Sequence, residues 1–228
     1  MRLRAVIFDV DGTLAETEEA HRTAFNQAFA EAGLPWHWTH DDYRALLTTT
    51  GGRERIARYR AQIGVDPDPD GAAALHARKN AIYAALVAEG AIVPRPGVMR
   101  LLQRCRDAGV ALAIATTTSR ANLDALLYHG FEPAAQTWFR VIVAGEDVAA
   151  KKPDPAVYRQ VLAGLGLAAQ QCVAIEDSAP GLAAATACGI ATVITPSHFT
   201  RWQDFSGAAL VCNDLDAHVD LALLDALL

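Results

Sequence analysis

The stretch VIFDVDGTL, residues 6 to 14, runs apolar through Phe8 and then stops on two aspartates, Asp9 and Asp11, ahead of Gly12 and Thr13. In an extended chain residues i and i+2 point to the same face, so both carboxylates aim at one point beyond the tip of a strand. Packing alone gives no reason to end a buried strand on two like charges. Two carboxylates working together on one substrate atom would give one.

Further apolar runs read as buried parallel strands. With LRAVIFD (3 to 9) they are ALAIAT (111 to 116), VIVA (141 to 144), CVAI (172 to 175) and ATVI (191 to 194). Helical patterns separate the later ones, which predicts an α/β chain with a Rossmann-like parallel sheet and helices on both faces. The rhythm breaks once: roughly a hundred residues lie between Asp9 and the next strand, where a crossover needs about a dozen. That gap reads as an inserted helical bundle with helices at 16 to 32, 40 to 47, 53 to 63 and 71 to 89, punctuated by GLPW, TTTGG and VDPDPDG. The expected division is a core of 1–14 and 96–228 and a cap of 15–95, joined through LAET and VPRPGV. A bundle on two short connections can serve as a lid.

Composition narrows the function. The chain has 228 residues, 52% of them hydrophobic, and a formal net charge of -6, so a general nucleic-acid or membrane-surface binder is not expected. The apolar run before Asp9 is too short for a signal-peptide core, and no stretch approaches the ~18 residues of a membrane span. The four cysteines form no CxxC pair, which suggests neither zinc nor a disulfide framework. A cytoplasmic monomer acting on a small molecule is expected.

In open α/β sheets ligands bind beyond the carboxyl ends of the strands, so the strand ends are read together. Thr116, Thr117, Thr118 and Ser119 follow ALAIA and open a helix. They either cap it or, with its free N–H groups, hold an anion. KKPDP (151 to 155) follows VIVA. There Asp154 and Pro155 suit a helix N-cap and first position, leaving Lys152 either solvated or beside the carboxylates, where it would favour their ionised forms. Glu176 and Asp177 follow CVAI and either cap the next helix or join Asp9 and Asp11. Four acids on one rim repel, so a divalent cation is expected, and all-oxygen ligation suits Mg2+.

DVDGT, Thr116, Lys152-Pro153 and Glu176-Asp177, in that order with a helical insert after the first, resemble the four motifs of the haloacid dehalogenase superfamily phosphatases with a helical cap. The resemblance spans nearly the whole chain. It implies a HAD-like core in which Asp9 is the nucleophile, Asp11 the general acid and base, and Thr116 and Lys152 hold the phosphate. It also implies magnesium on Asp9, the Asp11 carbonyl and Asp177, with Glu176 close by or in an outer shell. ETEEAHRTAFN, LLTTTGGRERIARY, ARKN, RPG, ATTTS and AKKPDP further resemble the CbbY-type phosphatases, related to β-phosphoglucomutases. That implies a sugar phosphate such as xylulose-1,5-bisphosphate as substrate, Calvin-cycle chemistry, and substrate contacts from Thr117 and Thr118.

In the cap, His21 shares a helix face with Phe25 and Ala28 and is either a core histidine or, by family position, a residue facing the nucleophile loop. Arg53, Arg55, Arg58 and Arg60 could form one solvated helical face, a reading that suits Arg58 and Arg60, with Glu54 to Arg58 an i,i+4 pair. Arg53 follows Gly51-Gly52 at a helix start, where a second phosphate could bind, and Lys79 is a candidate of the same kind. The rival readings are a sugar phosphomutase using the same aspartates, a phospho-receiver and a dehalogenase. A receiver has no helical lid and carries its phosphoacceptor on a later strand. A dehalogenase would need neither Asp11 nor a metal site at Asp177.

Overall fold

Six parallel strands form the sheet, in a computed structural model that describes residues 2–90, 92–216 and 219–228. They are β1 (Ala5–Phe8), β2 (Ala111–Ala115), β3 (Phe139–Val143), β4 (Cys172–Glu176), β5 (Ala191–Ile194) and β6 (Leu210–Val211), in the order β3-β2-β1-β4-β5-β6. Five match the expected runs. The sixth is only a two-residue strand, too short for any periodicity to register. β1 pairs in parallel with β2 on one side and β4 on the other. The strand order therefore reverses beside β1, and a crevice at the carboxyl ends is expected there.

The two faces of β1 divide by the period of two. Val6 and Phe8 enter the larger apolar cluster, which also takes in Leu101, Leu102 and Leu224, while Ala5 and Ile7 enter the other with Val157, Val161 and Ala184. Leu101 and Leu102 come from α5 (Val98–Asp107) and Leu224 from α9 (Leu221–Ala226). On the opposite face stand α7 (Ala156–Leu165) and α8 (Ala179–Thr186).

Between β1 and α5 lies the helical insert: α1 (Glu18–Glu31), α2 (His40–Leu46), α3 (Gly52–Gln62) and α4 (Pro69–Ala88). The buried positions of α1 are His21, Ala24, Phe25, Ala28 and Phe29, the i, i+3, i+4, i+7, i+8 stripe of an amphipathic helix. Thr39 and Asp42 close a capping box on α2. Asp68 caps α4 ahead of Pro69. These helices enclose their own cluster, rich in aromatic rings from Phe25, Phe29, Trp36, Trp38 and Tyr43. Ala24, Ala28, Ile82, Tyr83 and Val87 instead join the main core, seating the insert on the sheet.

Both connections are tied down. Ala15 bridges Asp11 and Pro94, and the Arg95 N–H donates to the Leu14 carbonyl at 2.9 Å. The buried Arg95 guanidinium donates to the carbonyls of Gly12, Thr195 and Pro196, and pairs with Glu16 at 3.3 Å.

Two local expectations are corrected and one open choice is resolved. Pro155 precedes α7 rather than opening it, because the Asp154 carboxylate accepts the Ala156 N–H at 2.9 Å and sets the first turn one residue later. Of the hydroxyl run, Ser119 alone caps α6 (Arg120–Ala125), accepting the Asn122 N–H at 3.2 Å. The threonines before it are left for other partners. Arg58 does not pair with Glu54 but reaches Thr48 and Thr49 at 2.6 and 2.7 Å, and Arg60 donates to the Asp66 carbonyl at 2.9 Å, so both brace the insert. Among the described residues no helix is long and apolar enough to cross a membrane.

Candidate active site

β1 delivers Asp9 to the crevice, where its N–H continues the sheet by donating to the Ile175 carbonyl at 3.0 Å. Lys152, in the loop between β3 and α7, is 4% exposed and spends its three protons on three acceptors. These are Asp9 Oδ1 at 2.6 Å, Glu176 Oε1 at 2.5 Å and the Ala115 carbonyl at 2.8 Å. Burial alone would lower the lysine's pKa, but Asp9 and Glu176 outweigh it and hold the ammonium charged. For Asp9 burial dominates and raises the carboxyl, Lys152 opposes it, and Glu176 and Asp177 add to the rise. Glu176 also accepts the Tyr158 hydroxyl at 2.8 Å. It lies so close to Gly181 that any side chain there would collide with its carboxylate.

Asp9, Glu176 and Asp177 each bring a carboxylate oxygen within 4.8 Å of the others. Burial, followed by the charge of Glu176, pushes Asp177 up to about 8. One lysine cannot neutralise this group of buried acids, and its donors are all hard oxygens. The residues therefore fit a divalent cation of the magnesium kind. Asp9 and Asp177 face the cavity above them, whereas Glu176 is turned onto Lys152 and Tyr158. Gly12, at φ 80°, packs so tightly on Asp177 that a Cβ would overlap the carboxylate.

Asp11 faces the other way. Its Oδ1 accepts the Thr17 hydroxyl at 2.6 Å and stands 3.0 Å from His21 Nε2, while His21 Nδ1 is 2.7 Å from Lys79 Nζ. An ammonium only donates, so with Lys79 charged Nδ1 accepts and the imidazole proton sits on Nε2, directed at Asp11. The ring stacks on Tyr83 with centroids 4.0 Å apart. His21 is thus buried in the core and also in contact with the nucleophile loop. Burial lowers both His21 and Lys79, the latter to about 7. For Asp11 burial pushes upward, yet the His21 and Thr17 interactions prevail and hold the carboxyl below its usual range.

A cavity of about 390 Å³ separates the strand tips from the insert. Its floor carries Asp9, Asp11, Thr116, Thr117, Thr118 and Lys152, and its roof Arg53, Arg55, His76 and Lys79. Arg53 opens α3 and is exposed. Arg55 is buried, donates to the Tyr43 hydroxyl at 2.9 Å and lies 5.0 Å from the centre of that ring. Burial and then the positive neighbours Lys79 and Arg53 press His76 down to about 3. Thr50 donates across the cavity wall to the Lys152 carbonyl, docking the insert on the loop that supplies the lysine.

The residues expected from the sequence to serve catalysis, substrate or metal therefore reach this cavity or its immediate walls. Sequence reasoning missed Thr17, His76, Tyr158 and Thr200, and gave Arg55 no role. His76, Lys79 and Tyr83 follow an i, i+3, i+7 stripe that could have drawn attention to α4. Tyr158 and Thr200 carry no such signal, since their partners are remote in sequence.

The chain belongs to the haloacid dehalogenase-like hydrolase family, whose model matches residues 3–189. Within that family it is a phosphatase with a helical insert. It is similar to Protein CbbY of Rhodobacter capsulatus, at 51% identity over 223 residues and 98% of each chain. A crystal structure of a CbbY mutant from Rhodobacter sphaeroides in complex with xylulose-1,5-bisphosphate superimposes with a TM-score of 0.94 at 45% identity, covering 98% of this chain and 99% of that one. A β-phosphoglucomutase from Clostridium difficile shares the fold, with a TM-score of 0.82 at 19% identity over 99% of this chain and 96% of that one.

Proposed function

We propose that the protein is a magnesium-dependent sugar-phosphate phosphatase whose substrate is a bisphosphate such as xylulose-1,5-bisphosphate. One observation carries this reading. The cavity carries basic side chains on both sides, Lys152 beside Asp9 on the floor and Arg53 with Lys79 on the roof, where each could take an anion. A monophosphate would use only one of them. The similarity to a CbbY holding that bisphosphate supports the same choice.

Asp9 attacks phosphorus, forming an Asp9 oxygen–phosphorus bond as the bond to the sugar oxygen breaks. Asp11 gives its proton to that departing oxygen. A phosphate dianion arriving beside Asp11 raises its pKa, so the carboxyl takes up this proton on substrate binding. Water then attacks phosphorus, Asp11 takes the water's proton, and Asp9 is released. Thr116 holds the phosphoryl oxygens together with Lys152, which exchanges one of its three acceptors for phosphate, while Glu176 with Tyr158 keeps Lys152 in place. Asp9, Asp177 and the Asp11 carbonyl would hold magnesium, which would supply the Lewis acid that offsets the charge of the transferring group.

The test is product analysis on mono- and bisphosphorylated pentuloses and hexoses. Release of inorganic phosphate, fastest from a bisphosphate, is expected. An isomerised sugar phosphate with no phosphate released would instead make the protein a phosphomutase.

A further inference from the structure

Phe199 belongs to the sheet part of the chain, on the loop after β5, yet its ring is buried in the aromatic cluster of the insert. It meets Tyr43 edge-on at 5.8 Å and lies parallel to His40 at 5.8 Å. Among the described residues of that cluster it alone comes from outside the insert. The next residue, Thr200, places Oγ1 3.0 Å from Asp177 Oδ2. Two adjacent residues of one loop thus engage the helical cap and an acid of the expected metal site.

The loop itself is tied at each end and braced within. The Pro196 carbonyl accepts from Arg95 at 2.9 Å, the Ser197 N–H donates to Thr200 Oγ1 at 2.9 Å, and Gln203 accepts the Ala179 N–H at 2.6 Å. Between these anchors the Phe199 ring projects into the cap and the Thr200 hydroxyl projects onto Asp177. We propose that Phe199 and Thr200 form a latch through which seating of the cap sets the cation affinity of Asp177. This rests on the magnesium-phosphatase reading and adds a coupling to it.

Lifting the cap would strip the Phe199 ring of Tyr43 and His40 and leave it facing water. The loop would relax, and the Thr200 hydroxyl that fixes the Asp177 carboxylate from 3.0 Å would leave with it. Coupling is reciprocal, so a cation on Asp177 holds Thr200 in place and presents Phe199 to the cap. An aromatic ring either is inserted or is not, which makes the two arrangements discrete. The cation is then bound most tightly when the cap has closed over substrate.

The test is titration calorimetry with Mg2+ on the wild type, Phe199→Ala, Phe199→Leu and Thr200→Val. Phe199→Ala should weaken Mg2+ binding about tenfold, within the range typical of coupled sites. Phe199→Leu should restore most of the affinity, because it keeps an apolar plug. Thr200→Val should weaken binding comparably with the cap still seated. Adding Mg2+ to the wild type should also slow amide hydrogen exchange in α2, far along the chain from Asp177.

An affinity in folded Phe199→Ala within about twofold of wild type, outside the usual range for coupling, overturns the latch, even if Thr200→Val binds weakly. So does α2 exchange that ignores Mg2+. Should Phe199→Ala fail to fold, the exchange measurement on the wild type decides alone. A wild type that binds no Mg2+ overturns the magnesium reading and the latch with it, an outcome distinct from variants that bind as the wild type does.

Discussion

Lys152 Nζ stands 2.6 Å from Asp9 Oδ1, and both groups are almost wholly buried. A buried pair of this kind costs most when one partner is removed, about 3–5 kcal/mol, because the other charge is left uncompensated. Lys152→Met should therefore lower the stability of the metal-free protein by that amount in urea melts and abolish turnover. Saturating Mg2+ should restore part of the stability and none of the activity. Unchanged melting would mean that Asp9 and Glu176 do not depend on Lys152.

Glu176 and Asp177 are neighbours with different expected duties. Exhaustive chelation should stop turnover. Asp177→Asn should raise the Mg2+ concentration needed to restore it. Glu176→Gln should leave the Mg2+ requirement nearly unchanged while lowering kcat by about 10- to 100-fold, the usual effect of losing a partner that orients a working group. The reverse pattern in an Mg2+ titration of both variants would make Glu176 the ligand.

Lys79 supplies a pH signature. Burial brings its folded pKa to about 7 from an ordinary 10.5. Between those values the unfolded chain holds a proton that the folded chain lacks, so this group makes stability rise with pH across the window. The destabilising effect is present in full below pH 7 and has disappeared above 10.5. Lys79→Met removes it, so the variant's stability relative to wild type should be greatest near pH 6 and decline by up to about 4 kcal/mol by pH 10. Melting curves across that range check the slope, and a flat difference would contradict a buried, depressed Lys79.

Arg53 tests the roof. Hydrogen bonds to a charged group contribute about 1.5–3 kcal/mol, roughly 10- to 150-fold at 1.4 kcal/mol per decade. Arg53→Ala should reduce kcat/KM by about that factor for a sugar bisphosphate and change it little for a small monophosphate that cannot reach the cap. Equal losses on both substrates would assign Arg53 to the fold or to cap movement.

Much of this site is legible in the sequence because a parallel sheet gathers its strand ends on one rim. Asp9, Thr116, Lys152 and Asp177 could be brought together from strand order alone, and the four helices of the insert fall within two residues of their expected ends. The sequence does not reveal which way a side chain turns once it arrives. Glu176 and Asp177 read as one acidic pair, yet alternation along the extended chain sends the first into the core onto Lys152 and Tyr158 and the second toward the cavity. Arg55 read as one of four arginines on a helix face. Only the packing of Tyr43 beneath it shows why it alone of the four is buried. Phe199 sits in a loop with no periodicity, so its place in the cap's aromatic cluster emerges only from the tertiary fold.

In the proposed reaction the phosphoryl group of a sugar bisphosphate passes through Asp9. The most direct measurement is a rapid-quench reaction with bisphosphate radiolabelled in the scissile phosphate, followed by digestion and mapping of the labelled peptide. Label should appear on Asp9 and decay at least as fast as inorganic phosphate is released, with none retained by Asp9→Asn, which should not turn over. Phosphate released without label ever reaching that peptide, or near wild-type turnover by Asp9→Asn, would contradict it.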